Sequence, residues 1–290
     1  GTFALRLERG EQTMLFLNRR GMMGFLSCRA CGHVIKCPHC DVSLSLHRNG
    51  RLRCHYCGYE TQSPKVCPSC GSGYIGSFRA GTQKIEEIVK KRYPEARVLR
   101  MDTDTTKGKD GHQKILAAFA NREADILVGT QMIVKGHDFP DVTLVGILAA
   151  DLSLNAGDYR SAERTFQLLT QAAGRAGRGE KPGRVLIQTY QPDHYSIVAA
   201  SHQNYMEFYQ REIWYRQMMA YPPAAHMLVV QVISPKEEDA DQTATRLAQV
   251  VARQEEEYAV MGPTDAAIKK ISDIYRKAIY IKAREYESAF

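Results

Sequence analysis

Asp125-Ile-Leu-Val-Gly-Thr-Gln-Met-Ile-Val-Lys-Gly-His-Asp-Phe-Pro-Asp-Val-Thr-Leu-Val-Gly-Ile-Leu148 sets two short apolar runs on either side of a glycine-bearing loop. Runs of this length without polar alternation are what a parallel sheet buries on both faces. Outward from this stretch the signals alternate. Strand-like segments stand at 14–18, 74–78, 97–101 and 184–189. Helical patterns start at Gly81-Thr82, with Ile85, Ile88 and Val89 on one face, and cover 113–121 and 159–173. Strands and helices in this rhythm indicate a doubly wound α/β domain.

Beyond about residue 191 the pattern becomes α+β. One long helical pattern over 196–219 is halted by Tyr221-Pro-Pro, and a strand follows at 227–233. A helix is expected from Pro235 to about 258, where Gly262-Pro263 breaks it, and a last strand covers 275–283. The resulting division is 1–27, the start of the α/β domain; 28–71, a cysteine-rich insertion; 72–190, the rest of the α/β domain; and 191–290, a C-terminal α+β domain. The last of these is expected to be truncated, because its final strand runs close to the terminus.

Two hundred and ninety residues is room for about two domains. At 44% apolar and 24% charged, without low-complexity tracts, the composition excludes a disordered or fibrous protein. There is no run of 18 apolar residues and no basic-then-apolar leader, which argues against a spanning helix or signal peptide and for a cytoplasmic protein. The chain opens Gly1-Thr2-Phe3 rather than with Met, as a fragment would. A formal charge of +7 leans toward an anionic partner.

All eight cysteines fall between positions 28 and 70, in four Cys-x-x-Cys pairs: Cys28/Cys31, Cys37/Cys40, Cys54/Cys57 and Cys67/Cys70. The two-residue gap turns both sulfurs of a pair toward one tetrahedral ion, so eight ligands make two closed sites. Three pairings are possible. Val42, Leu44 and Leu46 alternate ahead of an Asn49-Gly50 turn, and the hairpin they predict favours the nested one. Cys37, Cys40, Cys54 and Cys57 then form an inner site, and Cys28, Cys31, Cys67 and Cys70 an outer one. Zinc is the expected metal. A disulfide framework suits a small secreted chain better, and an iron centre competes on geometry. Each zinc with four thiolates carries −2, taking the formal charge from +7 to about +3. Arg29, Lys36, Arg48, Arg51, Arg53 and Lys65 either offset those thiolates or face a nucleic acid. His33, His39, His47 and His55 are not needed as ligands.

Two loops carry the chemistry, and the rule that ligands of open α/β sheets sit outside the carboxyl ends of the strands places both there. The first is 129–140. The second is Gln171-Ala-Ala-Gly-Arg-Ala-Gly-Arg-Gly179, where Arg175 and Arg178 lie three apart between glycines at a helix end. Two planar guanidiniums suit a polyphosphate and can stabilise charge during its transfer, although a Gly-Arg repeat taken alone is equally a solvated turn. Trp214 reads as packing, as does the Tyr205/Phe208/Tyr209 cluster.

Gly129-Thr-Gln-Met, Lys135-Gly-His-Asp138 and Gln171-x-x-Gly-Arg-x-Gly-Arg178 resemble motifs V and VI of superfamily 2 helicases. With the four cysteine pairs inserted ahead of them, and with Asn18-Arg-Arg-Gly21, Leu52-Arg-Cys-His-Tyr-Cys57, Met101-Asp-Thr-Asp-Thr-Thr106 and Asp158-Tyr-Arg-Ser-Ala-Glu-Arg164, the chain resembles the PriA (primosomal protein N′) family of replication-restart helicases. The resemblance implies a RecA-like second helicase lobe with an inserted two-zinc ribbon. It implies an ATP- and Mg2+-dependent enzyme moving 3′ to 5′ on forked DNA, with single-strand binding protein and primosome components as partners, loading the replicative helicase near the bacterial nucleoid. Arg175 and Arg178 would be arginine fingers with Gln171 beside them, and Gly136 and Asp138 would meet the nucleotide. Thr130 and Gln131 would touch the DNA backbone. Where the family usually has an aromatic after Tyr-Arg, this chain has Lys277-Ala278. No Gly-x-x-x-x-Gly-Lys-Ser/Thr is present, so the chain alone is expected to be inactive. The alternative is a zinc-ribbon nucleic-acid-binding or adaptor module whose α/β domain is not catalytic.

Overall fold

Five parallel strands make the first unit's sheet, in the order Arg184–Ile187, Val142–Leu148, Gln12–Leu17, Ile126–Gly129, Val98–Met101. These come from a computed structural model describing residues 1–17, 25–39, 42–47, 50–76, 81–102, 105–106, 110–134, 138–253 and 258–284. The chain forms two units: 1–22, 78–154 and 161–205, then 23–77, 155–160 and 206–290.

In the first unit the central strand is wholly buried, and Phe16, Leu17, Phe119, Ile126, Leu127 and Leu144 are shut off from solvent. Each such side chain contributes about 1.5–3 kcal/mol by leaving water. The helix Thr82–Arg92 covers one face through Ile85 and Val89, while Ile88 is exposed, one position off that stripe. The strand expected over 74–78 shrinks to Ile75–Gly76 and pairs instead with Ser27–Cys28 in the second unit.

The long helix expected over 196–219 is two helices, Tyr195–Ser201 and Tyr205–Met218. Gln203 takes φ +52, its amide bonds to Ala200 O (3.1 Å), and the Asn204 amide bonds to Ala199 O (2.9 Å). That is a Schellman cap, closed by a glutamine where glycine is usual.

In the second unit the antiparallel sheet has the order His226–Ser234, Ile274–Ala283, Tyr258–Ile271. The helix Glu237–Ala252 lays Ala240, Ala244 and Ala248 on it, and its acidic first turn (Glu237, Glu238, Asp239) suits the positive end of the helix dipole. Gly262-Pro263 does not end a helix. It sits within the edge strand Tyr258–Ile271, at a register shift between Met261 and Thr264. A bulge on an edge strand tolerates proline's missing N–H. The strand turns back through Ser272-Asp273, both at positive φ (+48 and +61), as a two-residue hairpin loop requires. Lys277, where the family's aromatic is usual, is buried and pairs with Asp241 (2.7 Å) and Asp265 (2.9 Å).

The cysteine-rich stretch belongs to the same unit. A three-stranded antiparallel ribbon (Ser45–Leu46, Arg51–Arg53, Glu60–Gln62) shares a core of Leu26, Val42, Leu44, Leu52 and Tyr56 with Tyr159 and Tyr221. Tyr159 stacks on Tyr221 (4.7 Å, 8°), and Tyr56 meets Tyr280 edge-on (4.8 Å). Trp214 is not packed: it is 60% exposed on its helix. Of its neighbours Phe208 is buried, while Tyr205 and Tyr209 are exposed. Among the described residues, no helix is long and apolar enough to cross a membrane.

Candidate functional site

The cysteines are gathered by a repeated turn. In three of the four pairs the next residue is glycine, Gly32, Gly58 or Gly71, at φ +75, +78 and +71. Its amide bonds to the carbonyl of the first cysteine (Gly32 to Cys28, 3.0 Å; Gly58 to Cys54, 3.1 Å; Gly71 to Cys67, 2.9 Å). The first cysteine's amide then reaches the residue five positions on (His33, Tyr59 and Ser72), each at 2.8 Å, and Cys37 makes the same bond to Val42. A side chain at the left-handed position would strain each turn. The glycine after the second cysteine is thus part of the metal-site design, a signal legible in the sequence as Cys-x-x-Cys-Gly.

The structure brings Cys28, Cys31, Cys67 and Cys70 into one group and Cys37, Cys54 and Cys57 into another, with the sulfurs of each group within 4.8 Å of one another. Cys40 lies outside the described residues, as do Asn49 and Arg48. Cys28–Cys70 and Cys31–Cys67 are 3.7 Å apart and Cys37–Cys57 3.5 Å. A disulfide needs about 2.05 Å. A tetrahedron of thiolates about 2.3 Å from zinc has edges of about 3.8 Å, so the spacing fits a shared ion rather than bonds between sulfurs. Backbone amides of Cys31 and, after burial's opposing effect, Ala30 hold the Cys28 thiol down to about 6. Against the Ser72 amide, the neighbouring sulfurs Cys31, Cys28 and Cys67 push Cys70 up to about 12, so that without an ion the group shares its protons between close sulfurs. Among the described residues no histidine joins either group: His47 and His55 lie ring to ring (5.2 Å), and His39 meets Tyr59. Arg51 and Arg53 pair with Glu60 (3.3 and 3.4 Å), and Arg53 also contacts Asp265.

The guanidinium pair lies in the first unit. Helix Ser161–Ala173 runs back against the strand before it, so its end returns to the amino edge of the sheet. There the Gly177 amide bonds to Val142 O (2.9 Å), at the start of its strand. The carboxyl-end expectation therefore fails for this loop. The segment 129–140 spans both edges: Thr130 and Gln131 follow the carboxyl end of Ile126–Gly129, and Asp138 arrives at the amino edge. Lys135, Gly136 and His137 lie outside the described residues.

At the amino edge Arg175 Nη1 is 3.3 Å from Asp138 Oδ1, and Arg178 Nη1 contacts the same oxygen. Arg178 Nε also donates to Gly174 O (2.7 Å). The side chains are 16%, 37% and 66% exposed for Arg175, Arg178 and Asp138, so the cluster is at the surface and Arg178 opens to solvent. Burial and the adjacent Arg178 charge draw Arg175 below the ordinary guanidinium pKa, against the pull of Asp138. Gly177 has φ +70 and its backbone touches Gly183: an added Cβ would come within 2.4 Å of Gly183 N. Lys181, in the same loop, reaches the buried Glu11 (3.4 Å). Gln171 is exposed on the last turn of the helix.

Three family models match in sequence order. They are the PriA DNA helicase Cys-rich region (CRR) domain over 37–61, the helicase conserved C-terminal domain over 75–180, and the primosomal protein N C-terminal domain over 217–289. Replication restart protein PriA of Bacillus subtilis is 50% identical across 96% of this chain and 35% of that protein. The chain belongs to the PriA family. PriA of Synechocystis is 46% identical (94% of this chain, 34% of the relative), and that of Chlamydia pneumoniae 40% (97% and 38%). The chain spans about a third of the length of these PriA relatives. The PriA Cys-rich match and the two sulfur groups together make the ribbon a zinc-binding element.

Proposed function

We propose that the chain is the C-terminal part of an ATP-dependent 3′–5′ DNA helicase that remodels stalled replication forks and promotes primosome assembly and replicative helicase loading. The observation that carries this reading is the surface pair Arg175/Arg178, both guanidiniums converging on one anionic oxygen. Two converging forks fit a polyphosphate better than a lone phosphate or a carboxylate ligand. Arg178, the more exposed, would meet the transferring phosphoryl group, with Arg175 behind it and Gln171 alongside. Asp138 and Gly136 would serve the nucleotide, with Mg2+ and the phosphate-cradling lysine coming from a partner lobe. Thr130 and Gln131, at the opposite sheet edge, would take the DNA backbone, so that 129–140 links the two ligands. Zinc would be held by Cys28, Cys31, Cys67 and Cys70 in one site and Cys37, Cys40, Cys54 and Cys57 in the other, contributing structure and no chemistry. Forked DNA, single-strand binding protein and other primosome components in the bacterial cytoplasm are the partners of this reading.

Arg178→Ala in the parent protein tests it. Arginine fingers contribute about 10³–10⁵ in turnover, so DNA-stimulated ATP hydrolysis should fall at least about a thousandfold while DNA affinity stays level. Surviving turnover with weaker DNA binding and a shallower salt dependence would make Arg178 a phosphate contact on DNA instead. The 290-residue chain by itself should not hydrolyse ATP.

A further inference from the structure

Asp138 Oδ1 occupies the seat between the two guanidiniums, 3.3 Å from Nη1 of Arg175 and in contact with Nη1 of Arg178. To those two forks a carboxylate oxygen is the same object as a phosphate oxygen: a charged acceptor at hydrogen-bonding range. The carboxylate comes from a different loop, and its side chain is mostly in solvent (66% exposed), so burial does not hold it there. Arg178 has a second tether, its Nε bond to Gly174 O (2.7 Å), and keeps its aim when the carboxylate leaves. Asp141, three residues on, is engaged elsewhere, with Arg122 (2.7 Å from Nε).

From this geometry we infer that Asp138 is a built-in competitor for the anion seat: it weakens every anion at Arg175/Arg178 alike, so that polyphosphates, which bind more tightly, still displace it at concentrations where single anions do not. The inference rests on the reading of those arginines as a polyphosphate site and deepens it. A tethered carboxylate acts at an effective concentration in the millimolar range. A lone phosphate at lower concentration replaces one ionic contact with another and gains little. A chain of phosphates engages the two guanidiniums through separate oxygens and displaces the carboxylate at a net gain. Any ligand's apparent affinity is lowered by the fraction of time the seat is open.

Calorimetric titration of the zinc-loaded chain with inorganic tripolyphosphate and, separately, inorganic phosphate tests this. Asp138→Asn should raise tripolyphosphate and phosphate affinity by the same factor, at least about fivefold. Asp141→Asn removes the same charge nearby and should change either by less than about twofold. Arg178→Ala should abolish binding of both. If Asp138→Asn changes nothing while Arg178→Ala still abolishes binding, the site is real and the competitor idea is wrong. If Asp141→Asn matches Asp138→Asn, the effect is diffuse charge and the inference falls. If no variant binds, or Arg178→Ala is silent, the polyphosphate reading itself fails. Thermal melts establish that each variant is folded, and Asp138→Ser stands in should the asparagine variant not fold.

Discussion

The loop bearing Arg175 and Arg178 hangs from a five-stranded sheet in which Phe16, Ile126, Leu127 and Leu144 are completely buried, whereas the cysteine turns hang from strands of two and three residues. The first framework gets its rigidity from side-chain packing and needs no ligand. The second has too little apolar area of its own, and its turns are organised around sulfur groups at ion-sharing distances. One region therefore answers chiefly to core substitutions, the other to metal and thiol chemistry.

Removing the metal is the severest way to break this contrast. Zinc binding in small ribbons is folding free energy, of order 10 kcal/mol. Chelation or Cys54→Ser should abolish amide-exchange protection over 42–47 and 50–62 and weaken it at Ile274–Ala283 and Tyr258–Ile271, which meet the ribbon through Tyr56–Tyr280 and Arg53–Asp265 respectively, while Ile126–Gly129 stays protected. Protein purified with far fewer than two zincs per chain, or a metal-free ribbon that keeps its protection, would end the distinction. Next in size, Leu144→Ala should cost about 2–5 kcal/mol in the parallel-sheet unit and leave zinc content unchanged, read by thermal melting and atomic emission.

Acid sharpens the comparison further. A hydrogen bond from Thr143, then Arg6 and Lys181, outweigh burial and hold Glu11 at about 2 rather than 4.5. A depressed carboxylate pKa gives stability that is complete above about 4.5 and lost as pH falls toward 2. Melting temperature measured across that window should fall less steeply in Glu11→Gln; an unchanged slope would mean Glu11 contributes nothing to it. At the small end, Trp214→Ala should change stability by no more than about 0.5 kcal/mol in urea titrations, because the ring is exposed. A larger loss would show that the helix Tyr205–Met218 has a partner in solution.

The parallel strands were readable because long apolar runs admit few other fates, and the cysteine groups because paired spacing is nearly a coordinate in itself. Elsewhere local structure overrides the sequence rules. Gly262-Pro263 looked like a helix breaker, and only pairing with Ile274–Ala283 makes it a bulge. Gln203 and Ser272-Asp273 hold left-handed conformations without glycine, so the end of one helix and a hairpin turn carry no punctuation. Hydrophobicity alone puts Trp214 in the core, yet the helix already buries Phe208, Glu212 and Arg216. The arginine loop lies at the amino edge of the sheet because the carboxyl-end rule describes loops that leave strands, and this one leaves a returning helix.

Where Gly177 meets Gly183, main chain rests directly on main chain, with an added methyl on Gly183 coming within 2.4 Å of the Ala176 carbonyl carbon. That contact works as a wedge point: one carbon atom inserted there shifts the aim of both guanidiniums while leaving every charge in place. It separates, in one substitution, how much of the arginines' effect lies in their presence and how much in their direction.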